Sequence, residues 1–241
     1  MITAIIVAAG SSRRMGSDKL FALLNGKPVI YHSIAAFERC RNVREIILVT
    51  REERVAEMQK MVAAVKFRKV KKIVAGGEER HFSVWNGLQA VDADTDYIAI
   101  HDGARPLVTP EIITACLSLA QKEGAACLAS PIPDTLKRAS SDQLVTASVE
   151  RSGLWAMQTP QIFSSDLIFE AYAGVIAKNR LVTDEVSAVQ GLGKKIALLR
   201  NEEWNFKITF PRDLELAEQV LALRKKKSHP IGAKDKIRPK K

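Results

Sequence analysis

Apolar positions along this chain follow two alternating rhythms. Short unbroken runs occur at Ala4 to Ala9, Glu45 to Thr50 (EIILVT), Val70 to Ala75, Tyr97 to His101 (YIAIH) and Ala125 to Ser130; their length and Val/Ile content predict buried strands. Between them, Val29 to Cys40, Glu52 to Val65, Phe82 to Val91 and Glu111 to Glu123 carry apolar residues at helical spacing. Thr109 followed by Pro110 reads as an N-cap and a first helical turn, and Pro211 opens RDLELAEQVLALRKK in the same way. Strands that alternate with helices predict an α/β fold, a mostly parallel sheet with helices on both faces, and ligands in such sheets bind beyond the carboxyl ends of the strands. That rule puts Gly10 to Lys19 and His101 to Pro106 on one rim.

The alternation breaks after Ser130. Residues 131 to 161 contain three prolines and the polar alternation LVTASVER, with no long helical period, which predicts an inserted hairpin or arm. An extended arm cannot bury an apolar face by itself, so a dimer formed through it is expected. The winding resumes with helices at Asp166 to Lys178 and Glu185 to Gln190, a strand KIALLR and a final helix. Residues 1 to 223 thus read as one domain, without an internal repeat.

Charge changes the picture at two places. The net charge of +10 is concentrated at the end: residues 224 to 241 hold nine Lys/Arg and one acid, leaving 28 Lys/Arg against 26 acids, or +2, before them. The tail RKKKSHPIGAKDKIRPKK is expected to be largely disordered beyond the last helix and solubilising, and a weak RNA or anionic-surface contact is the other reading of such a run. The second place is the first loop, AAGSSRRMGSDK, which spends two Gly, three Ser and three cations on a single connection. A Gly/Ser loop after a buried strand lets backbone N–H groups approach phosphate. Here Gly10 and Gly16 enclose five residues and are followed by Ser17-Asp18, unlike a Walker loop, and Ser12 stands where the dinucleotide fingerprint needs glycine. The loop therefore predicts a phosphate site of a third kind, in which Arg13, Arg14 and Lys19 matter as much as backbone.

Composition excludes other classes. Cys40, Cys116 and Cys127 are far apart and lack metal-ligand spacing, so neither a disulfide framework nor a zinc site is expected, and a reducing compartment is. No signal segment opens the chain and no apolar run approaches the roughly 18 residues of a membrane helix, which predicts a cytoplasmic protein without a membrane partner. A nucleic-acid partner is not expected, since net charge without an RNA-binding motif or stacking aromatics argues little. Within HDGARP, Asp102 suits a hydrated metal or a ribose hydroxyl and Arg105 can orient it or meet phosphate; a strand-end turn with a surface Asp–Arg pair explains the hexapeptide equally well. His101 reads as a packed, hydrogen-bonded histidine.

Taken together, AAGSSRRM, GGEERHFSVWNGL, HDGARP, DTLK, ERSGLWAMQTPQ, VTDE and NFKITFPRDLELAE occur in an order that resembles the 2-C-methyl-D-erythritol 4-phosphate cytidylyltransferases of the non-mevalonate isoprenoid pathway, from about Ala4 to Val220. The resemblance implies a Rossmann-like nucleotidyltransferase three-layer sandwich with an inserted β-arm that makes a homodimer. It implies transfer of CMP from CTP to 2-C-methyl-D-erythritol 4-phosphate with release of pyrophosphate, and Mg2+ bridging phosphate oxygens. Arg14 and Lys19 would stabilise the transition state, with Arg13 beside them. Cytosine would lie against Ala8, Ala9 and Gly10 and be read by Gly77, Glu78 and Ser83, with Asp102 near metal and ribose and Arg105 on the nucleotide side. Arg151 and Lys207 would orient the polyol phosphate, aided by the hydroxyls of Thr135, Thr159, Thr183 and Thr209. Thr135 and Arg151 lie on the arm, so each site is expected to borrow them from the other subunit. Ser12 replaces a frequent glycine of the family, only three residues separate Met15 from Lys19, and the Lys-rich tail lies outside the pattern. Rival expectations are a cytidylyltransferase for another polyol phosphate, such as ribitol 5-phosphate, and a basic RNA-binding module.

Overall fold

The structure is a computed structural model that describes residues 1–10, 15 and 18–228. The expected tail beyond Ser228, like Arg13 and Arg14, lies outside the described residues. The chain runs β1 (Ile2–Ala8), β2 (Leu23–Leu24), β3 (Lys27–Pro28), α1 (Val29–Arg39), β4 (Val43–Thr50), α2 (Val55–Val65), β5 (Val70–Ala75), α3 (Arg80–Gln89), β6 (Tyr97–Asp102), α4 (Pro110–Glu123) and β7 (Ala125–Pro131). Then follow β8 (Leu136–Ala139), β9 (Val145–Val149), β10 (Trp155–Ser164), α5 (Ser165–Ala177), α6 (Glu185–Gln190), β11 (Ala197–Arg200) and α7 (Arg212–Ser228).

Seven strands form the central sheet in the order β11-β7-β10-β6-β1-β4-β5. All neighbours are parallel except β10, which is antiparallel to both β6 and β7. β1 alternates in the sheet: Ala4, Ile6 and Ala8 join the layer of Ile30, Ile34, Phe37, Met58 and Ile113 from α1, α2 and α4. Ile5 faces the other layer, with Val84, Leu88, Ile168 and Tyr172 from α3 and α5. Helices on both faces of one sheet give the expected three layers. Because the chain leaves β1 for β4 on one side and returns to β6 on the other, β1 stands at the crossover reversal, where the loops beyond the strand ends diverge and leave a crevice. A third apolar cluster of Leu24, Val29, Leu107, Ile208, Ala217 and Val220 seats α7 against this end of the sheet.

Two boundaries differ from expectation. The stretch expected to be arm through Gln161 divides: β8 and β9 form a separate antiparallel hairpin, whereas β10 sits in the middle of the main sheet. Pro160 and the polar neighbours of Thr159 argue against a central strand, yet the proline falls where the pairing with β7 skips from Met157 to Gln161, so its missing N–H interrupts no ladder there. The final helix runs to Ser228, two residues beyond the expected RDLELAEQVLALRKK, and so crosses the domain boundary expected at residue 223. Arg224 belongs to it rather than to the tail, with guanidinium bonds to the carbonyls of Leu107 at 2.6 Å and Trp204 at 3.0 Å. The N-cap at Thr109 is present, its hydroxyl accepting from Ile112 N. Among the described residues no helix is long and apolar enough to cross a membrane.

His101 joins three segments at the base of the rim. Thr159 Oγ1 accepts the Asp102 N–H at 3.1 Å, which directs its own proton to His101 Nδ1 at 3.0 Å and leaves Nε2 to donate to the Arg105 carbonyl at 3.2 Å. Burial of this neutral ring pushes its pKa down to about 3. α3 meets the sheet closely for a simpler reason: a Cβ at Gly87 would lie 2.7 Å from Ile5 Cγ2 and 2.9 Å from Val49 Cγ2.

Gly87→Val should therefore destabilise the protein by about 2 kcal/mol or more through overpacking, read as a lower urea midpoint at unchanged slope; an unchanged midpoint would contradict the close approach. For His101, the unfolded ring takes up a proton near its ordinary pKa while the folded ring does not, so its contribution is present above that value and is lost as pH falls toward 3. The stability advantage of wild type over His101→Gln is expected to shrink by up to about 1.4 kcal/mol per pH unit below pH 6, measured by urea unfolding at pH 7.5 and 5.5. A constant difference would mean that the imidazole takes up its proton as readily folded as unfolded.

Candidate nucleotide and acceptor site

A cavity of about 460 Å3 opens at the reversal point, lined by Val7 to Gly10, Lys19, Leu20, Gly77 to Arg80, Ser83, Asp102, Ala104, Lys207 and Thr209. The structure thus brings together Ala8, Ala9, Gly10, Lys19, Gly77, Glu78, Ser83, Asp102, Lys207 and Thr209 from five segments of the sequence. Each is delivered by local chemistry. The Gly76-Gly77 turn lies tight on its neighbours, since a Cβ at Gly76 would meet Ala9 Cβ at 2.5 Å and Ser83 Oγ at 2.7 Å. Ser83 is buried and holds this turn: its Oγ takes the Gly77 N–H at 3.1 Å and lies within bonding distance of the Gly77 and Glu79 carbonyls. It shapes the wall through those bonds.

The chain after Asn201 crosses back over the rim before entering α7. Ile208 N donates to Ala104 O at 2.8 Å, Arg105 Nη1 to Asn205 O at 2.8 Å and Asn205 Nδ2 to Thr159 O at 2.9 Å. Asp213 ends the crossing by accepting the N–H groups of Thr209 and Phe210. Two amines result: Lys19 Nζ donates to Ile208 O at 3.1 Å, and Lys207 Nζ to Asp102 Oδ2 at 2.8 Å.

Asp102 is the electrostatic centre. It is buried at the end of β6, with Oδ1 3.1 Å from Arg80 Nη2 and 3.3 Å from Arg80 Nε, and with Arg105 Nε 3.8 Å from Oδ2. Burial by itself would raise a carboxyl pKa; the cations Arg80, Lys207 and Arg105 overcome it and hold the group well below the usual carboxylate range. Asp102 is therefore an anion throughout the physiological range, its charge shared among three cations.

Other candidates fall elsewhere. Arg105 lies behind Asp102, tied to the carbonyls of Asn205 and Met157, and does not line the cavity. Thr159 is buried with its hydroxyl engaged by His101 and the Asp102 N–H, so within this chain it supports the floor and does not face a ligand. The reason is the unexpected place of β10, which turns position 159 toward β6. Thr135 and Arg151 are exposed at the root of the hairpin, where Arg151 donates to the Pro133 carbonyl, and neither lines the cavity of its own chain. Thr183 lines a second, more open hollow with Trp155, Asp184 and Ser187. Arg80 was not singled out from sequence, where it falls within GGEERHFSVWNGL. Its signal is position, because a cation at the first residue of a helix, next to a Gly-Gly turn, needs an anionic partner to offset the helix dipole.

The arrangement can hold a base-sized group on small residues, a chain of phosphates at Lys19, and a second anion at Lys207. The comparisons agree with it. The family profile of 2-C-methyl-D-erythritol 4-phosphate cytidylyltransferase matches residues 2–223. A protein of that name from Lachnospira eligens is 44% identical over 222 residues, 90% of this chain and 97% of its own, and one from Caldanaerobacter subterraneus subsp. tengcongensis is 43% identical over 223 residues, 91% and 98%. Among solved structures, the 4-diphosphocytidyl-2C-methyl-D-erythritol synthase of Anaerococcus prevotii superposes with a TM-score of 0.80 at 28% identity, covering 92% of this chain and 98% of its own. The 2-C-methyl-D-erythritol 4-phosphate cytidylyltransferase of Thermus thermophilus gives 0.76 at 31%, covering 90% and 98%. From its sequence, its sheet and the walls of its cleft, the chain belongs to the 2-C-methyl-D-erythritol 4-phosphate cytidylyltransferase family.

Proposed function

We infer that the cleft transfers CMP from CTP to 2-C-methyl-D-erythritol 4-phosphate, giving 4-diphosphocytidyl-2-C-methyl-D-erythritol and pyrophosphate, a step of isoprenoid precursor synthesis. The observation that carries the reading is the pair of amines, Lys19 and Lys207, lining one cavity together with the small residues Ala8, Ala9, Gly10 and Gly77. Ribitol 5-phosphate as acceptor is not favoured by the family match, and a basic RNA-binding module leaves the cleft unexplained.

The chemistry joins two anions. An oxygen of the acceptor's phosphate attacks the α-phosphorus of CTP, and the bond from that phosphorus to the β-phosphate oxygen breaks as pyrophosphate leaves. Such transfers depend mainly on in-line positioning and on neutralising charge. Lys19 faces the triphosphate and stabilises the leaving pyrophosphate; Arg14, with Arg13, joins it in this reading on the strength of the sequence alone. Cytosine lies against Ala8, Ala9 and Gly10, and the Glu78 carboxylate accepts from its amine. Lys207 meets the acceptor's phosphate with Thr209 beside it. No general base is needed, because a phosphate monoester is already anionic at neutral pH. His101, buried and neutral, is not one.

Mg2+ enters the proposal with the nucleotide. Among the described residues no group of three or more His, Cys, Asp or Glu side chains could hold an ion, and both oxygens of Asp102 are engaged by cations. These residues would fit an ion carried chiefly by the nucleotide's phosphate oxygens, as magnesium prefers, and Asp102, its oxygens already held by cations, would meet it only through water. Bound there, it would offset charge on the phosphate chain. We further propose a cytoplasmic homodimer in which the hairpin of each subunit brings Thr135 and Arg151 to the other's acceptor site, with Thr183 contributing beside them. The exposure of Leu144 and Val145 on the hairpin, 67% and 68%, supports a partner for that surface.

Pyrophosphate release should be seen with CTP and 2-C-methyl-D-erythritol 4-phosphate and not with ribitol 5-phosphate or the other nucleoside triphosphates. Lys19→Ala should lower kcat at least about a hundredfold, or about 3 kcal/mol, with an unchanged melting temperature. Turnover with ribitol 5-phosphate alone, or a fully active Lys19→Ala enzyme, rejects the assignment. For the shared site, refolding inactive Lys19→Ala and Arg151→Ala subunits together should restore a substantial part of the activity, since one site of each mixed dimer is then intact; a mixture as inactive as its components means that each subunit uses its own Arg151.

A further inference from the structure

Behind the cleft, and touching neither proposed substrate, Glu185 is a fully buried acid at the first position of α6. Its Oε1 lies 2.6 Å from Arg80 Nη1 and 3.0 Å from the hydroxyl of Tyr172 on α5, and its Oε2 lies 3.0 Å from Arg80 Nη2. Arg80 is thus bound along two edges of one rigid plane. Its Nη1–Nη2 edge is fixed by Glu185, and its Nε–Nη2 edge is aimed at Asp102 Oδ1. With Oδ1 so occupied, Oδ2 is the atom turned to the Lys207 amine.

A plain structural role explains this poorly. α6 is already fastened by Asp184, whose carboxylate caps Ser187 N at 2.9 Å, by Gln161 Oε1 accepting from Val186 N, and by the buried Val186, Ala188 and Val189. A buried ion pair is a weak source of stability, and an apolar pair often serves as well; its distinctive use is to fix orientation. Burial raises the pKa of Tyr172 well above the ordinary value and Glu185 adds to it, so the phenol stays a donor to the carboxylate. Burial would lower the pKa of Arg80, yet Glu185 and then Asp102 hold it well above the ordinary value, so the link stays charged.

We propose that Glu185 is a positioning residue for the acceptor substrate: through Arg80 it fixes the Asp102 carboxylate, and through Asp102 the place of the Lys207 amine. Tyr172 completes the device by saturating Oε1. The proposal rests on the reading of Lys207 as the acceptor's phosphate ligand, and it assigns to α5 and α6, on the face of the sheet opposite α1, control chiefly over the acceptor substrate.

Glu185→Gln keeps the shape but sets an amide N–H against a guanidinium N–H, which frees Arg80. The expected result is a fall of roughly thirtyfold in kcat/KM for 2-C-methyl-D-erythritol 4-phosphate, with the Kd for CTP alone, by titration calorimetry, changed less than about threefold. Arg80→Met followed by Glu185→Gln should cost no more than about a further threefold beyond Arg80→Met, because the two act as one unit. Tyr172→Phe, which keeps both charges and leaves a foldable protein should Glu185→Gln not yield one, should show a smaller loss confined to the same substrate. Wild-type kinetics in Glu185→Gln or in Tyr172→Phe, equal losses for both substrates, or effects that multiply in the double variant overturn the proposal. An inactive wild type instead overturns the assigned reaction, and with it the role of Lys207.

Discussion

The rim is organised around one buried negative charge. A carboxylate at the end of a central strand is strongly unfavourable unless cations and N–H groups reach it, and Asp102 is reached from three directions: Arg80 at the start of α3, Lys207 on the crossing before α7, and Arg105 in its own loop. Elements far apart in sequence are thereby pinned to the same atom pair. The cavity exists because those elements converge without filling the space between them, and small residues at Ala8, Ala9, Gly10 and Gly77 keep it open. Replacing Asp102 by an apolar residue would leave cations crowded with no common partner, so the same residue governs both packing and charge.

This focus separates two kinds of function within one pocket. Lys19 is held by a backbone carbonyl, Ile208 O, and its place follows from how α7 seats on its apolar cluster. Lys207 is held by a side chain whose own orientation depends on other side chains. The place of the second amine thus depends on a chain of ionic contacts that runs from Glu185 on α6 through Arg80 and Asp102.

Much of this was legible from sequence where the physics is local. Val/Ile runs separated by helical periods identify the parallel strands to within a residue or two, Thr109-Pro110 marks a helix start, and small or charged residues at strand ends mark the rim. What could not be read depends on contacts between distant segments. β10 lacks apolar alternation and contains Pro160, so nothing in it announces a central strand; once it enters the sheet, Thr159 faces His101 instead of a ligand. Nothing near them in EER and VTDE marks Arg80 and Glu185, because their partners are distant in sequence: each other, 105 residues apart, with Asp102 for Arg80 and Tyr172 for Glu185. Arg224, counted with the basic tail although the helical pattern reaches it, is likewise held by distant groups, the carbonyls of Leu107 and Trp204.

The reversed direction of β10 also determines where the hairpin stands. β7 runs out at Pro131 and β10 begins at Trp155, and these two residues face each other as ladder partners at the rim. The whole excursion between them therefore leaves and re-enters the domain through adjacent doorways. Such a loop can lengthen, shorten or change its tip without altering the register of the strands beneath, so the domain tolerates changes there that it could not absorb within β7 or β10.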